Sequence, residues 1–452
     1  MAEKTVGVAL LGCGVVGGGV QRILRCHREM LRRRTGIDFV LRHVVVKSRD
    51  EYPPDAAELP MSTDAAAAID DPQTDVVIEL IGGTTVAGEF IERALRLGKP
   101  VVTANKSLLA QRGAELFALA RRHGTCIAFE ASCAGGIPII DALMRGLVAN
   151  RIEALVGIVN GTCNFILTRM TASGWSYQQA LAEAQRLGYA EANPHLDVSG
   201  RDAAQKLAIL AGLAFNVRIA ESDIHVEGID GLQADDIHFA GELGYVVKLL
   251  AIAQRHDAAA EGQSAGGAAP ARLCLRVHPT LVHRDDLLAD VSGSFNAISV
   301  YADSLGHALW YGRGAGRTPT ASAVVADLVS IATGAAQITF RHMRVLPDLC
   351  PPADVIPFEN LQSRYYLRLV AKDQPGVMAD VTAVLGRHKI SLSAIRQPEG
   401  TSGPTVPVVI TTHMANEGAM QAALREIDRI PAITPPSVCL RIIDQPKEFA
   451  AG

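Results

Sequence analysis

The sequence predicts an α/β protein in three parts: a doubly wound parallel sheet, an α+β middle region, and a small C-terminal βαββαβ module. Three observations carry this prediction. The apolar run Thr5–Leu11 leads directly into the glycine-rich stretch Gly12-Cys13-Gly14-Val15-Val16-Gly17. Apolar runs of strand length then alternate with helical spacing, as in repeated βαβ units. Finally, Pro347, Pro351, Pro352 and Pro357 interrupt the chain before a last block with its own strand and helix pattern.

In order, TVGVALL at Thr5–Leu11 reads as a strand buried on both faces, and a helix follows its glycines. Further strands are expected at Phe39–Val46, Asp75–Leu80 and Pro100–Thr103, with a helix near Ala87–Leu97. A second region opens around Glu130, with a strand at Ala154–Val159, an amphipathic helix at Tyr177–Leu187 ending at Gly188, and a helix over Gly200–Phe215. The Ala/Gly-rich stretch His256–Ala271 reads as a surface excursion. Past the proline-rich linker, strands at Tyr365–Ala371, Pro407–Thr412 and Ser437–Ile443 and helices at Val377–Leu385 and Met420–Ile427 complete a ferredoxin-like βαββαβ pattern.

The chain's 452 residues leave room for two or three domains at roughly 100–200 residues each. A net charge of −4 gives no broad footprint for nucleic acid or an anionic membrane. Apolar runs such as Ile137–Ile140 fall far short of the ~20 residues of a membrane span. The start MAEKTVGVALLGCG has no signal-peptide pattern, so a cytoplasmic location is expected. Eight scattered cysteines without a CxxC pair read as thiols in a reducing compartment.

Gly12, Gly14 and Gly17 stand between a strand and a helix, the context that makes this spacing a dinucleotide-binding turn of the Rossmann type. The pyrophosphate would meet the helix start at Val15 and Val16. Where an NAD-selective site carries an acid, the second strand runs on into Lys47 and Arg49, which favours the 2′-phosphate of NADP, with NAD an open alternative.

The segment Gly188–Lys206 gathers Glu191, Asp197, Asp202 and Lys206. Asp202 and Lys206 are four apart and share a helical face. Reducing an aldehyde leaves an alkoxide to be protonated, and a lysine whose pKa is lowered by desolvation or a neighbouring cation can donate and recover that proton. Buried carboxylates suit the ammonium of an amino-acid substrate. The plainer alternative is a Ser199-Gly200-Arg201-Asp202 capping box followed by a surface ion pair.

Six collinear blocks spread over residues 5–335 resemble homoserine dehydrogenases: GCGVVGGGV (Gly12–Val20), TANKSLLA (Thr103–Ala110), EASCAGGIPII (Glu130–Ile140), NGTCNFILT (Asn160–Thr168), EANPHLDVSGRDAAQK (Glu191–Lys206) and GRGAGRTPTASAVVADL (Gly312–Leu328). The resemblance implies interconversion of L-homoserine and L-aspartate 4-semialdehyde in threonine, methionine and isoleucine biosynthesis. It makes Lys206 the proton donor, places Lys106 beside cofactor and substrate, and assigns Glu191 and Asp202, with Asp197 nearby, to homoserine. It also sets Gly82, Gly188 and Gly316 near the cofactor, and Glu130, Cys133, Gly135 and Ile137 in a loop wrapping a sodium ion. His195 matches no catalytic position and reads as a loop side chain.

Tyr365–Gln397 resembles an ACT domain, an amino-acid-sensing module. Its Asp373-Gln374-Pro375-Gly376-Val377 turn is where such modules hold an effector, here expected to be L-threonine, and a homodimer or homotetramer is expected from edge-to-edge association. The domain expectation is therefore 1–131 for the nucleotide, 132–310 for substrate and dimerisation, 311–345 returning to the nucleotide domain, 346–360 as linker and 361–445 as the ACT domain. Two competing readings remain: an aldehyde dehydrogenase with Cys133 as thiol nucleophile, and a binding protein with a retired active site.

Overall fold

The computed structural model describes residues 4–51, 59–256, 272–397 and 404–443. The excursion expected at His256–Ala271 lies outside the described residues from 257 on, as does the end of the expected ACT range.

Six parallel strands form the first sheet: β1 (Lys4–Leu11), β2 (Ile37–Val45), β3 (Met61–Ser62), β4 (Val76–Glu79), β5 (Val101–Thr103) and β6 (Ile127–Ala128), in the order β3-β2-β1-β4-β5-β6. This is the strand order of dinucleotide-binding sheets, with its crevice at the carboxyl ends of β1 and β4. Val8, Leu10, Val77 and Ile78 are fully buried, as expected for a sheet covered on both faces. The two-residue strands β3 and β6 went unread in the sequence because two residues carry no periodicity.

The helix Arg317–Ala332 packs back on the first helix of this sheet, Val15–Cys26. A Cβ at Gly19 would lie 2.7 Å from the Arg317 carbonyl oxygen, so the crossing depends on glycine there.

The second, mixed sheet holds β7 (Ile152–Ile158), β9 (Tyr245–Arg255), β10 (Arg272–His283), β11 (Phe295–Ala302) and β12 (Gly306–Arg313), with β8 (His225–Val226) paired to β10. The linker differs from expectation. Its prolines do limit regular structure, yet β13 (Asp354–Val355) pairs with β10, and Leu346 and Ile356 are buried. The segment is fastened to the middle region by these contacts.

The C-terminal module contains β14 (Gln362–Lys372), β15 (Leu392–Arg396), β16 (Thr405–Thr412), β17 (Ala415–Asn416) and β18 (Ile433–Ile443), with helices Val377–Arg387 and Glu417–Ile427 on one face. β18 pairs in parallel with β10, so the module's sheet continues the middle sheet. Two buried arginines of the module reinforce the join. Arg441 reaches Glu227 at 2.6 Å and Glu417 at 2.6 Å, and Arg368 reaches Asp236 at 2.6 Å.

Candidate active site

The two lysines singled out in the sequence converge on one carboxylate. Asp202 lies in the first turn of the helix Arg201–Phe215, whose Ala203, Ala204, Leu207, Leu210 and Ala211 are all buried. Lys206, one turn on, donates to Asp202 Oδ2 at 2.7 Å and to the Val159 carbonyl at 2.8 Å. Lys106 opens the helix Lys106–Arg122 and sets its Nζ 3.3 Å from Asp202 Oδ1. Ser107 donates to Gln205 Oε1 at 2.8 Å, tying the two lysine-bearing helices together beside their lysines.

This arrangement excludes the plainer alternative. The Asp202 and Lys206 side chains are only 6% and 12% exposed, so their pair is not a surface one. The expected capping box is absent: Gly200 is the N-cap without a side-chain cap, and the buried Ser199 hydroxyl has no partner.

Electrostatics corrects a second expectation. Burial works against ionisation of Asp202, but Lys206 and Lys106, with hydrogen bonds from Lys206 and Asn160, outweigh it and hold the pKa at about 2. The Lys206 pKa, expected to be lowered, is raised. Burial pulls it down, and the adjoining Asp202 charge more than compensates. Lys206 therefore stands as an ammonium, ready to give a proton.

Asn160 was missed as a site residue. Its Oδ1 accepts from Cys163 N–H as N-cap of the helix Gly161–Ser173, which turns its Nδ2 toward Asp197 Oδ1 and Asp202 Oδ2, each at 2.8 Å. The Asp197 pKa is raised by burial and by the neighbouring Asp202 charge. Glu191 and His195 are exposed, and among the described residues neither side chain is hydrogen-bonded or ion-paired to this cluster.

Glu79 was also missed. Fully buried at the end of β4, it accepts Ile81 N–H at 2.8 Å, Gly82 N–H at 2.9 Å and the Thr103 hydroxyl at 2.7 Å. Thr103 Oγ1 accepts Asn105 N–H, while Asn105 Nδ2 donates to the Gly83 carbonyl and Asn105 Oδ1 caps the Lys106 helix. One acid thus braces both the Ile81–Gly83 loop and the start of the helix carrying Lys106. The signal was an acid inside the apolar run VVIELI ahead of two glycines.

A cavity of about 820 Å³ opens at the carboxyl ends of β1, β2 and β4. Gly12, Gly14, Lys47, Glu51, Thr63 and Gly82 are among its lining residues. Gly12 has φ +97°, and a Cβ there would lie 2.6 Å from the Leu80 carbonyl oxygen; one at Gly17 would lie 2.0 Å from the Gly12 carbonyl oxygen. The helix Val15–Cys26 starts without a side-chain cap, so its first amides suit a pyrophosphate. Arg49, Gly188 and Gly316 are not brought to this wall: Arg49 is exposed on a short turn, Gly188 follows the helix Tyr177–Arg186, and Gly316 caps Arg317–Ala332 at a separate shallow cavity.

Cys133 is fully buried, its thiol pushed up to about 12 by burial, and its Sγ lies 3.9 Å from the Lys206 carbonyl. A thiol held in its neutral form there contradicts the nucleophile reading. In the same loop, Glu130 spends its carboxylate on Ile140 N–H and Asp141 N–H, and the Ile137 carbonyl accepts Ile139 N–H. Among the described residues no group of three or more His, Cys, Asp or Glu side chains could hold a metal ion.

The chain matches the family model for homoserine dehydrogenase over residues 138–329 and the model for the NAD-binding domain of homoserine dehydrogenase over residues 12–130. It belongs to the homoserine dehydrogenase family. The ACT domain model matches residues 365–432. A homoserine dehydrogenase of Pseudomonas aeruginosa is 41% identical over 443 residues, covering 97% of this chain and 99% of the relative. The crystal structure of a homoserine dehydrogenase from Thiobacillus denitrificans is 42% identical with a TM-score of 0.89, covering 98% of this chain and 99% of that one. One from S. aureus is 29% identical with a TM-score of 0.73, covering 97% and 99%. The protein is thus an oxidoreductase, a homoserine dehydrogenase with an NAD(P)-binding domain and a C-terminal ACT domain.

Proposed function

We propose that Lys206 carries the proton in the interconversion of L-homoserine and L-aspartate 4-semialdehyde, with Asp202 as its anchor and Lys106 beside it. The observation that carries this reading is a count of donors. An ammonium has three, and two of those on Lys206 are committed to Asp202 and the Val159 carbonyl. The third is available to a substrate oxygen. A dinucleotide in the cavity lined by Gly12, Gly14 and Gly82 supplies or accepts the hydride when bound. Lys206 gives its proton to the oxygen as the aldehyde is reduced and takes it back in the oxidation.

Asp197 and Asp202, bridged by Asn160, offer carboxylate oxygens to the substrate ammonium. Glu191, exposed in this structure, is the third carboxylate of this substrate reading. NADP is the favoured cofactor because Lys47 lines the cavity; Arg49 lies off that wall. A sodium ion at Glu130, Cys133, Gly135 and Ile137 would draw mainly on main-chain carbonyls, since each Glu130 carboxylate oxygen already accepts a backbone N–H.

L-Threonine is the proposed effector at Asp373–Val377, with a place for the enzyme in threonine, methionine and isoleucine biosynthesis and in the cytoplasm. Asp373 to Gly376 are exposed, and Gly376, at φ +95°, opens an uncapped helix N-terminus at Val377. A homodimer or homotetramer fits β15, an edge strand among the described residues, where Ile395 is 47% exposed.

The test is homoserine-dependent reduction of NAD and NADP by the purified protein, with and without threonine. Reduction with at least one cofactor is expected; none with either contradicts the activity. A rate unchanged by millimolar threonine contradicts the effector alone.

A further inference from the structure

The cavity wall beyond β2 carries a group that the family resemblance leaves unassigned. In sheets of this strand order, the ribose 2′-hydroxyl is gripped by an acid at the end of the second strand. Here β2 ends at Val45 and is followed by Val46 and Lys47, with no acid before Asp50. The fold supplies a carboxylate by another route. The short turn Arg49–Glu51 folds back so that Glu51 Oε2 accepts Lys47 N–H at 3.3 Å.

Lys47 and Glu51 therefore stand on one wall of the same cavity, with Val46, Thr63 and Ala65 around them. Among the described residues, Lys47 is in no ion pair. The wall carries both a lysine and a carboxylate, joined through the Lys47 main chain, and the two would rank the cofactors in opposite ways. A carboxylate accepts a 2′-hydroxyl and repels a 2′-phosphate, which carries about −1.5 to −2 charges near neutral pH; an ammonium attracts the phosphate.

We infer that Glu51 is a specificity determinant opposed to Lys47: its carboxylate receives the ribose 2′-hydroxyl of NAD, and the pair lets one site accept both dinucleotides. This rests on the proposed reading of the cavity as the cofactor site. Glu51→Gln leaves Lys47 unopposed, and Lys47→Ala leaves Glu51 unopposed.

The experiment titrates the full-length protein and its variants with NADH and NADPH without substrate, following nicotinamide fluorescence, beside steady-state kcat/KM for both cofactors. Glu51→Gln should move the NADPH-to-NADH preference toward NADPH by about tenfold or more, and Lys47→Ala should move it toward NADH by a similar factor. Ratios within about twofold of the wild type for Glu51→Gln overturn the inference. Gly14→Val separates this failure from failure of the cavity reading. Gly14 lines the cavity with φ −71°, outside the left-handed region, and nothing lies within 4 Å of a Cβ there, so an added side chain meets no protein atom at its Cβ and projects over the helix start. Loss of both dinucleotides in Gly14→Val with an unmoved Glu51→Gln ratio sinks only the role of Glu51. Undiminished binding of both in Gly14→Val sinks the cavity reading itself.

Discussion

Asp202 is the residue on which the site's charges balance, and its removal should change the pH response as well as the rate. While ionised, it raises the Lys206 pKa; without it, burial is set against only the weaker charge effects, that of Asp197 among them, and lowers it. The wild type should therefore hold its proton donor through neutral pH, and homoserine oxidation, which needs the unprotonated amine, should rise into the alkaline range toward or beyond the ordinary lysine value of about 10.4. In Asp202→Asn that limb should move to lower pH, measured as kcat/KM for homoserine against pH; a limb that stays in place would contradict the electrostatic account. Asn160→Ala should lose the helix cap, at a cost of about 1 kcal/mol, together with the bridge between Asp197 and Asp202. Chemical denaturation reads the first effect, and a raised KM for homoserine reads the second. The lysines and Asp202 were legible in the sequence because chemistry and family motif point to the same positions. Asn160 is the N-cap of the helix Gly161–Ser173. Its other amide atom works in the site only because a residue 42 positions away folds against it.

At the scale of elements, long apolar runs and strongly spaced helices were readable, as at β1 and Arg201–Phe215. What escaped was fixed by contacts remote in sequence: the pairing of β13 with β10, and the Glu79 bonds to Thr103 and the Ile81–Gly83 loop. Glu79 lies on β4, and the pieces it braces are a cofactor-cavity loop and the helix that presents Lys106. Glu79→Ala strips the Thr103 hydroxyl and two backbone amides of their acceptor, so destabilisation by about 1–3 kcal/mol is expected. Because loop and helix loosen together, the KM for the dinucleotide should rise while kcat falls. A stability loss with both kinetic constants unchanged would confine Glu79 to the core.

For the whole molecule, the ACT domain is joined to the catalytic unit through β10–β18 pairing and through buried Arg441, which contacts Glu227 and Glu417. Arg441→Met would leave both acids without their buried cation, and destabilisation by about 3–5 kcal/mol is expected in a denaturant titration. Because Ile229 N–H, two residues past Glu227, donates to the Val198 carbonyl next to Asp197, the same variant should weaken any threonine response. This connection was invisible in the sequence, where Arg441 and Glu227 are 214 positions apart. The central claim concerns Lys206, and its most direct test is Lys206→Ala assayed in both directions beside dinucleotide binding. A fall in kcat of about 10²–10⁴ with dinucleotide affinity unchanged is the result the account predicts. Turnover at the wild-type rate in Lys206→Ala would contradict it.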